Sequence, residues 1–208
     1  MKLKNQQIKT VLFDLGGVLI DIDYQSTIHQ MKKIGLDNFE NLYTQHSQTN
    51  MFNAFETGKI SPFLFLNSLL EISKNRDTTP NQLVHAWNAM IGDFRIHQIQ
   101  LLQNIRKHYK LALLSNTNSI HYELVMRNWK KDFSFDFNSL FDEIFLSHEI
   151  GFRKPDASCF EFVLKQLHTV PENTLFIDDS IQHIEGAKKL GIYTCHYQDR
   201  DSLLQFFS

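Results

Sequence analysis

The chain is short of the residues that mark several protein classes. It has two cysteines in 208 residues, Cys159 and Cys195, and they share no close spacing. A bond between them is left open, but neither a disulfide framework nor a zinc site is indicated. Its ten histidines are scattered, and none stands in a ligand motif such as HExxH, so none is given a role. No apolar stretch reaches about 18 residues, and no transmembrane helix is expected. With a formal net charge of -2 the chain lacks the basic excess of a surface that tracks nucleic-acid phosphates. Internal repeats and low-complexity segments are also missing. The start, Met1-Lys2-Leu3-Lys4 followed by an apolar run over 11–20, loosely mimics a signal peptide. Asp14 interrupts that run and no clean small-residue cleavage site follows, so a cytoplasmic, reducing location is the default expectation.

What the chain does have is a set of strand-length apolar runs separated by segments of helical period. Thr10-Val11-Leu12-Phe13 ends at Asp14 and a Gly16-Gly17 turn. Leu111 to Leu114 ends at Ser115-Asn116, and Glu143 to Leu146 ends at Ser147-His148. Leu175-Phe176-Ile177 ends at Asp178-Asp179, and Gly191 to Cys195 follows a helix. Near-continuous apolar strands suit a parallel sheet covered on both faces. Between them Ile96, Ile99, Leu102 and Ile105 share a helix face, as do Phe160, Val163, Leu164 and Leu167. Ile181, Ile184, Ala187 and Leu190 form a shorter stripe stopped by Gly191, and Ile120, Leu124 and Trp129 a less regular one. Asn118 and Ser180 are candidate N-caps. The alternation predicts a doubly wound α/β core. The Phe133, Phe135, Phe137, Phe141, Phe145 series reads as packing.

Residues 21–95 break the alternation. They read as helical throughout, with turn signals at Gly35, Gly58, Pro80 and Gly92. The expected organisation is a discontinuous core of 1–20 and 96–208 with a helical cap over 21–95. Tyr24, Phe52, Phe55 and Trp87 are read as packing residues of that cap.

Carboxylates at the carboxyl ends of two apolar strands point to one acidic pocket, because ligands of open α/β sheets bind there. Such a pocket suits a hard cation with oxygen ligands. Asp14 is a candidate nucleophile. Ser115 and the backbone of Asn116 sit where a strand turns toward a helix, a place suited to phosphate oxygens. Lys154, next to Pro155, is a compact positive charge suited to phosphate and to ordering the acidic cluster. Arg153 has the weaker case.

Asp14, Ser115, Lys154 and the Asp178-Asp179 pair, in that order, resemble the four motifs of the haloacid dehalogenase-like hydrolases. The likeness runs through nearly the whole chain. Phe13-Asp14-Leu15-Gly16, Leu114 to Asn118, Gly151-Phe152-Arg153-Lys154-Pro155-Asp156, and Asp178-Asp179 with Ile184-Glu185-Gly186-Ala187 look like its bacterial sugar-phosphate phosphatases, best known for action on α-glucose 1-phosphate. So does Phe55-Glu56-Thr57-Gly58-Lys59-Ile60-Ser61 in the cap. The resemblance implies a Rossmann-like sheet with an inserted cap, and a phosphatase of small phosphorylated metabolites using Mg²⁺ and an aspartyl-phosphate intermediate. It implies Asp14 and Lys154 as catalytic residues, and Ser115, Asn116 and Lys154 as phosphate binders. Asp14, the Gly16 carbonyl, Asp179 and Asp178 would hold the metal, one of the last two directly and the other through water.

One position departs from the pattern. Typical phosphatases of this superfamily have a second aspartate two residues after the nucleophile, where this chain has Gly16. Acid–base help of that kind is commonly worth about 10²–10⁴ in rate. Three explanations stand: a substrate with an easier leaving group, a substitute acid such as Asp21, Asp23 or a cap residue, or a phosphate-binding protein with weak turnover. The resembled sugar-phosphate branch also carries glycine there and is catalytic, which favours the first two; Asp21 and Asp23 themselves read as linker residues. A carbon–halogen hydrolase is disfavoured by the Asp178-Asp179 pair.

Overall fold

The computed structural model describes residues 8–43, 49–199, 203, 206 and 207. The segment Met1-Lys2-Leu3-Lys4, weighed above as a leader, lies outside the described residues. The chain opens with β1 (Thr10–Phe13) and a short β2 (Ile20–Ile22). Four helices follow: α1 (Tyr24–Lys33), α2 (Asn50–Glu56), α3 (Pro62–Ile72) and α4 (Pro80–Asn88). Next come β3 (Ile91–Phe94), α5 (Ile96–Ile105), β4 (Lys110–Ser115), α6 (Ser119–Asp132), β5 (Glu143–Leu146) and the one-turn α7 (Ser147–Ile150). The last elements are α8 (Ala157–Gln166), β6 (Thr174–Asp178), α9 (Ile181–Lys188) and β7 (Tyr193–His196). Among the described residues no helix is long and apolar enough to cross a membrane.

Five strands form one parallel sheet in the order β5-β4-β1-β6-β7. Its alternation of side chains explains why both faces are apolar. Val11, Phe13, Leu111, Leu113, Leu175 and Ile177 pack with Ile99 and Leu102 of α5 and Val125 and Trp129 of α6. Leu12, Ala112, Leu114 and Phe176 pack on the other side with Phe160 and Val163 of α8 and Ile184 and Ala187 of α9. Each such fully buried large aliphatic or aromatic side chain contributes roughly 1.5–3 kcal/mol. Strand β1 pairs with β4 on one side and β6 on the other, so the connections leave it in opposite directions. The crevice at its carboxyl end is therefore the topological switch point where α/β folds bind ligands.

The helices between β2 and β3 have a separate, largely aromatic core, in which Phe39, Phe52, Phe55, Phe65 and Trp87 are buried. Local chemistry fixes their starts. Asp23 caps α1, Ser61 caps α3 ahead of Pro62, and Thr79 forms a capping box with Gln82 at α4.

Several sequence expectations need correction. Residues 21–95 are not helical throughout: β2 and β3 pair antiparallel, with Ile20 opposite Phe94 and Ile22 opposite Ile91. Gly92 lies inside this ribbon rather than in a turn. The apolar stripes of α5 and α9 begin one turn later than read, because Ile96 and Ile181 are exposed first-turn residues. Asn118 caps α6 through His121 N, whereas Ser180 precedes α9 without a side-chain capping bond. The phenylalanine series from 133 to 145 packs around Trp129 and the core, as expected.

Candidate active site

Asp14 continues the line of β1, its N–H donating to Ile177 O at 2.9 Å. Its Oδ1 accepts from Leu15 N at 2.7 Å, and Lys154 Nζ lies 2.9 Å from the same oxygen. Lys154 is wholly buried and also donates to Asp178 Oδ2 at 2.7 Å. The Asn116 side chain fixes the lysine's backbone from both ends, donating to Lys154 O at 2.8 Å and accepting from Lys154 N at 2.9 Å. The Asn116 side chain is thus committed to the lysine loop. Asp178 Oδ1 accepts from Ser180 N at 2.8 Å and lies 3.0 Å from His183 Nδ1.

These charges are out of balance. Burial alone would raise the Asp178 carboxyl, but Lys154 and the His183 hydrogen bond outweigh it and hold it below the ordinary range. Burial raises the Asp14 carboxyl well above its usual value; Lys154 opposes this, while Asp178 and Asp179 add to it. Asp179 is raised by burial and then by Asp178. Burial disfavours the Lys154 ammonium, yet Asp14 and Asp178 keep it charged beyond its usual range. One lysine therefore does not neutralise the three carboxylates.

Asp14, Gly16, Ser115, Asn116 and Asp179 line one cavity. Lys154 and Asp178 lie behind that floor and do not line it. One oxygen or nitrogen from each of Asp14, Asp178 and His183 lies within 4.8 Å of the others. The Lys154 ammonium already occupies the gap between the first two, which makes that trio a poor cation site. Asp179 is the carboxylate open to the cavity, and it leans over Gly17: a Cβ there would lie 2.2 Å from Asp179 Oδ2. Asp14 and Asp179, with the Gly16 backbone beside them in the cavity wall, supply carboxylate oxygens of the hard type and an excess of negative charge, a donor chemistry that fits a small divalent cation. A Cβ at Gly16 would meet Ile22 Cγ1 at 3.1 Å, so a side chain at that position would press on β2.

Tyr24, Tyr43, Glu56, Arg153 and His183 line the rest of the cavity, together with apolar Ile22, Met90 and Ile91. Sequence reasoning gave His183 no role; its signal was the spacing of five from Asp178 across a strand-to-helix turn. Tyr24 reaches the cavity, while Phe52, Phe55 and Trp87 are packing residues as read. Neither Asp21 nor Asp23 lines the cavity. Asp21 pairs with Arg95 Nε at 2.7 Å, and Arg95 also donates to Gly17 O. Asp23 is spent on capping α1 and on Ser26 Oγ, at 2.6 Å.

The chain is similar to known proteins in sequence and in fold. The model of the haloacid dehalogenase-like hydrolases matches residues 8–191. A D-ribitol-5-phosphate phosphatase of Bacteroides thetaiotaomicron is 31% identical over 192 residues, 90% of each chain. A sesquiterpene phosphatase of Aspergillus oryzae is 27% identical over 207 residues, 92% of this chain and 90% of its own. Among solved structures, a haloacid dehalogenase family enzyme of Bacteroides thetaiotaomicron, an aspartate-to-alanine mutant in complex with magnesium and inorganic phosphate, superposes with a TM-score of 0.88. It is 34% identical and the match covers 95% of this chain and 98% of that one. The chain belongs to the haloacid dehalogenase-like hydrolases.

Proposed function

We propose that the protein is a Mg²⁺-dependent phosphatase of small phosphorylated metabolites, sugar phosphates foremost, working through an aspartyl-phosphate on Asp14. The observation that carries this reading is the position of Asp14: it ends the central strand, its carboxylate is held by a buried lysine, and it opens into a cavity shared with Ser115 and Asp179. The named phosphatases among the relatives support it.

In this reading Asp14 attacks phosphorus, and the bond from phosphorus to the leaving oxygen breaks with its electron pair on that oxygen. The expelled oxygen takes a proton from solvent; water then attacks the phosphorus of the Asp14 acyl phosphate, giving up a proton to solvent, and the P–O bond to Asp14 breaks to release phosphate and restore the carboxylate. Lys154 opposes the rise of the Asp14 carboxyl and orients it. The Ser115 hydroxyl and the Asn116 backbone bind phosphoryl oxygens. Asp14, Asp179 and the Gly16 carbonyl would hold the Mg²⁺, which would offset carboxylate–phosphate repulsion and stabilise the transition-state charge. Asp178 acts one layer behind, through Lys154. The inserted segment 21–95 serves as a cap on a core of 1–20 and 96–208, excluding water and selecting the leaving group. A metabolite substrate goes with a cytoplasmic site of action.

Gly16 favours a second reading, a phosphate-ligand binding or regulatory protein with weak turnover. Hydrolysis of p-nitrophenyl phosphate with and without Mg²⁺ separates the two, because its leaving group needs little protonation. Mg²⁺-dependent turnover lost in a folded Asp14→Asn variant is the result expected of the phosphatase. Stabilisation by phosphate ligands without turnover would select the second reading.

A further inference from the structure

We propose that Arg153, Glu56 and Tyr24 form a hydroxyl-reading clasp that selects hydroxylated phosphate esters over apolar ones. This rests on the phosphatase reading above and says what the cavity requires of the leaving group.

The clasp joins two parts of the molecule. Glu56 ends α2 and is almost fully buried; Arg153 belongs to the loop that carries Lys154. Arg153 Nη2 lies 3.2 Å from Glu56 Oε2, and Nη1 donates to Asn53 Oδ1 at 3.5 Å. Tyr43 donates its hydroxyl to Glu56 Oε1 at 3.2 Å. Arg153 Nε is buried and has no hydrogen-bond partner among the described residues. Native proteins rarely leave a buried donor unmet, and the side chain that carries this one lines the cavity. The Tyr24 hydroxyl likewise makes no hydrogen bond to a described residue, and Tyr24 lies in the wall of the same cavity as Glu56 and Asp179.

Arg153, Glu56, Tyr43 and Tyr24 line the cavity that holds Asp14 and Asp179, so a molecule whose phosphate rests on the floor extends its organic part toward them. One carboxylate paired with one guanidinium is neutral overall. It offers acceptors and donors to hydroxyl groups and no net charge to a second anionic group. Where a site is built to hydrogen-bond a substrate hydroxyl, an analogue without it leaves the site's polar groups unmet and is rejected strongly.

The test compares kcat/KM for D-ribitol 5-phosphate and n-pentyl phosphate, which have the same chain length and differ in hydroxyl groups. Wild type should prefer the polyol ester by about 10²-fold or more. Glu56→Gln should cut that ratio by about tenfold or more, and Tyr24→Phe by a smaller factor in the same direction. Circular dichroism establishes folding; should Glu56→Gln not fold, Tyr24→Phe decides alone. Equal losses on both esters, leaving the ratio unchanged, would mean a merely structural role and overturn the proposal. Wild type that hydrolyses p-nitrophenyl phosphate without preferring the polyol ester would overturn the clasp alone. Wild type that hydrolyses none of the three would overturn the phosphatase reading, and the clasp with it.

Discussion

The cavity has a floor and a roof made in different ways. At the floor and just behind it, Asp14, Asp179 and Asp178 stand at the tips of adjoining parallel strands or just beyond them, around one buried lysine. At the roof, Tyr24, Tyr43 and Glu56 are carried by the α1–α2 region, whose core is a packing of aromatic rings. Floor geometry is inherited from the strand register: Phe13 pairs with Ile177, so Asp14 and Asp178 come side by side with no further device. Roof geometry depends on how helices dock. Among the described residues, that docking draws on the Glu56–Arg153 ion pair, the Trp87–Asn118–His121 network and the approach of Gly58 to His148, among other contacts. Chemistry on the floor is thus expected to tolerate changes that the roof does not, and the reverse.

Lys154→Met breaks the floor. It leaves buried carboxylates without their cation, which typically costs about 3–5 kcal/mol. Urea denaturation should show that loss at neutral pH, with turnover abolished. A variant as stable as wild type would mean that the carboxylates do not depend on the lysine.

The joint between roof and floor is pH-sensitive. His121 stacks on Trp87 at 4.5 Å between ring centroids and lies 3.0 Å from Trp87 O, with its other nitrogen 3.1 Å from the Asn118 amide. Burial holds its imidazole at about 4, against an ordinary 6.5. Between those values the unfolded chain binds more protons, so stability falls as pH drops from 6.5 to 4 and is retained above 6.5. This group alone should account for on the order of 3 kcal/mol. Thermal melts of wild type and His121→Asn across that window check it: the variant should lose part of the pH slope, and an identical slope would contradict the assignment.

Gly58 tests the roof by distance. Its φ is +68°, and a Cβ there would lie 2.1 Å from His148 O, a backbone atom. Gly58→Ala should cost roughly 1–3 kcal/mol and lower kcat/KM for hydroxylated esters more than for p-nitrophenyl phosphate. Gly17→Ala should do the opposite. A Cβ there strikes Asp179, so the Mg²⁺ concentration needed for half-maximal activity should rise for every substrate, with a stability change at the smaller end of the same range.

The same division explains what could be read from the sequence. The sheet was legible because continuous apolar runs such as Leu111 to Leu114 admit few alternatives and end on polar residues that mark the switch point. With it came Asp14, Ser115 and the Asp178-Asp179 pair. The antiparallel ribbon of β2 and β3 was not legible: Ile20–Ile22 and Ile91–Phe94 are too short to show a period, and they pair across a long stretch of intervening chain. Nor could the sequence bring Glu56 to Arg153. That contact follows from tertiary docking and leaves no local pattern. His183 was passed over because a lone histidine in a polar helix start has no signature until the turn folds it onto Asp178.

The central claim is that Asp14 becomes covalently phosphorylated. The direct measurement is mass spectrometry of the protein quenched in acid during turnover of p-nitrophenyl phosphate with Mg²⁺. The account predicts one added phosphoryl group on the peptide that carries Asp14, and none in Asp14→Asn. Steady Mg²⁺-dependent turnover with no phosphoryl on that peptide at any quench time, or with the group on another residue, would contradict it.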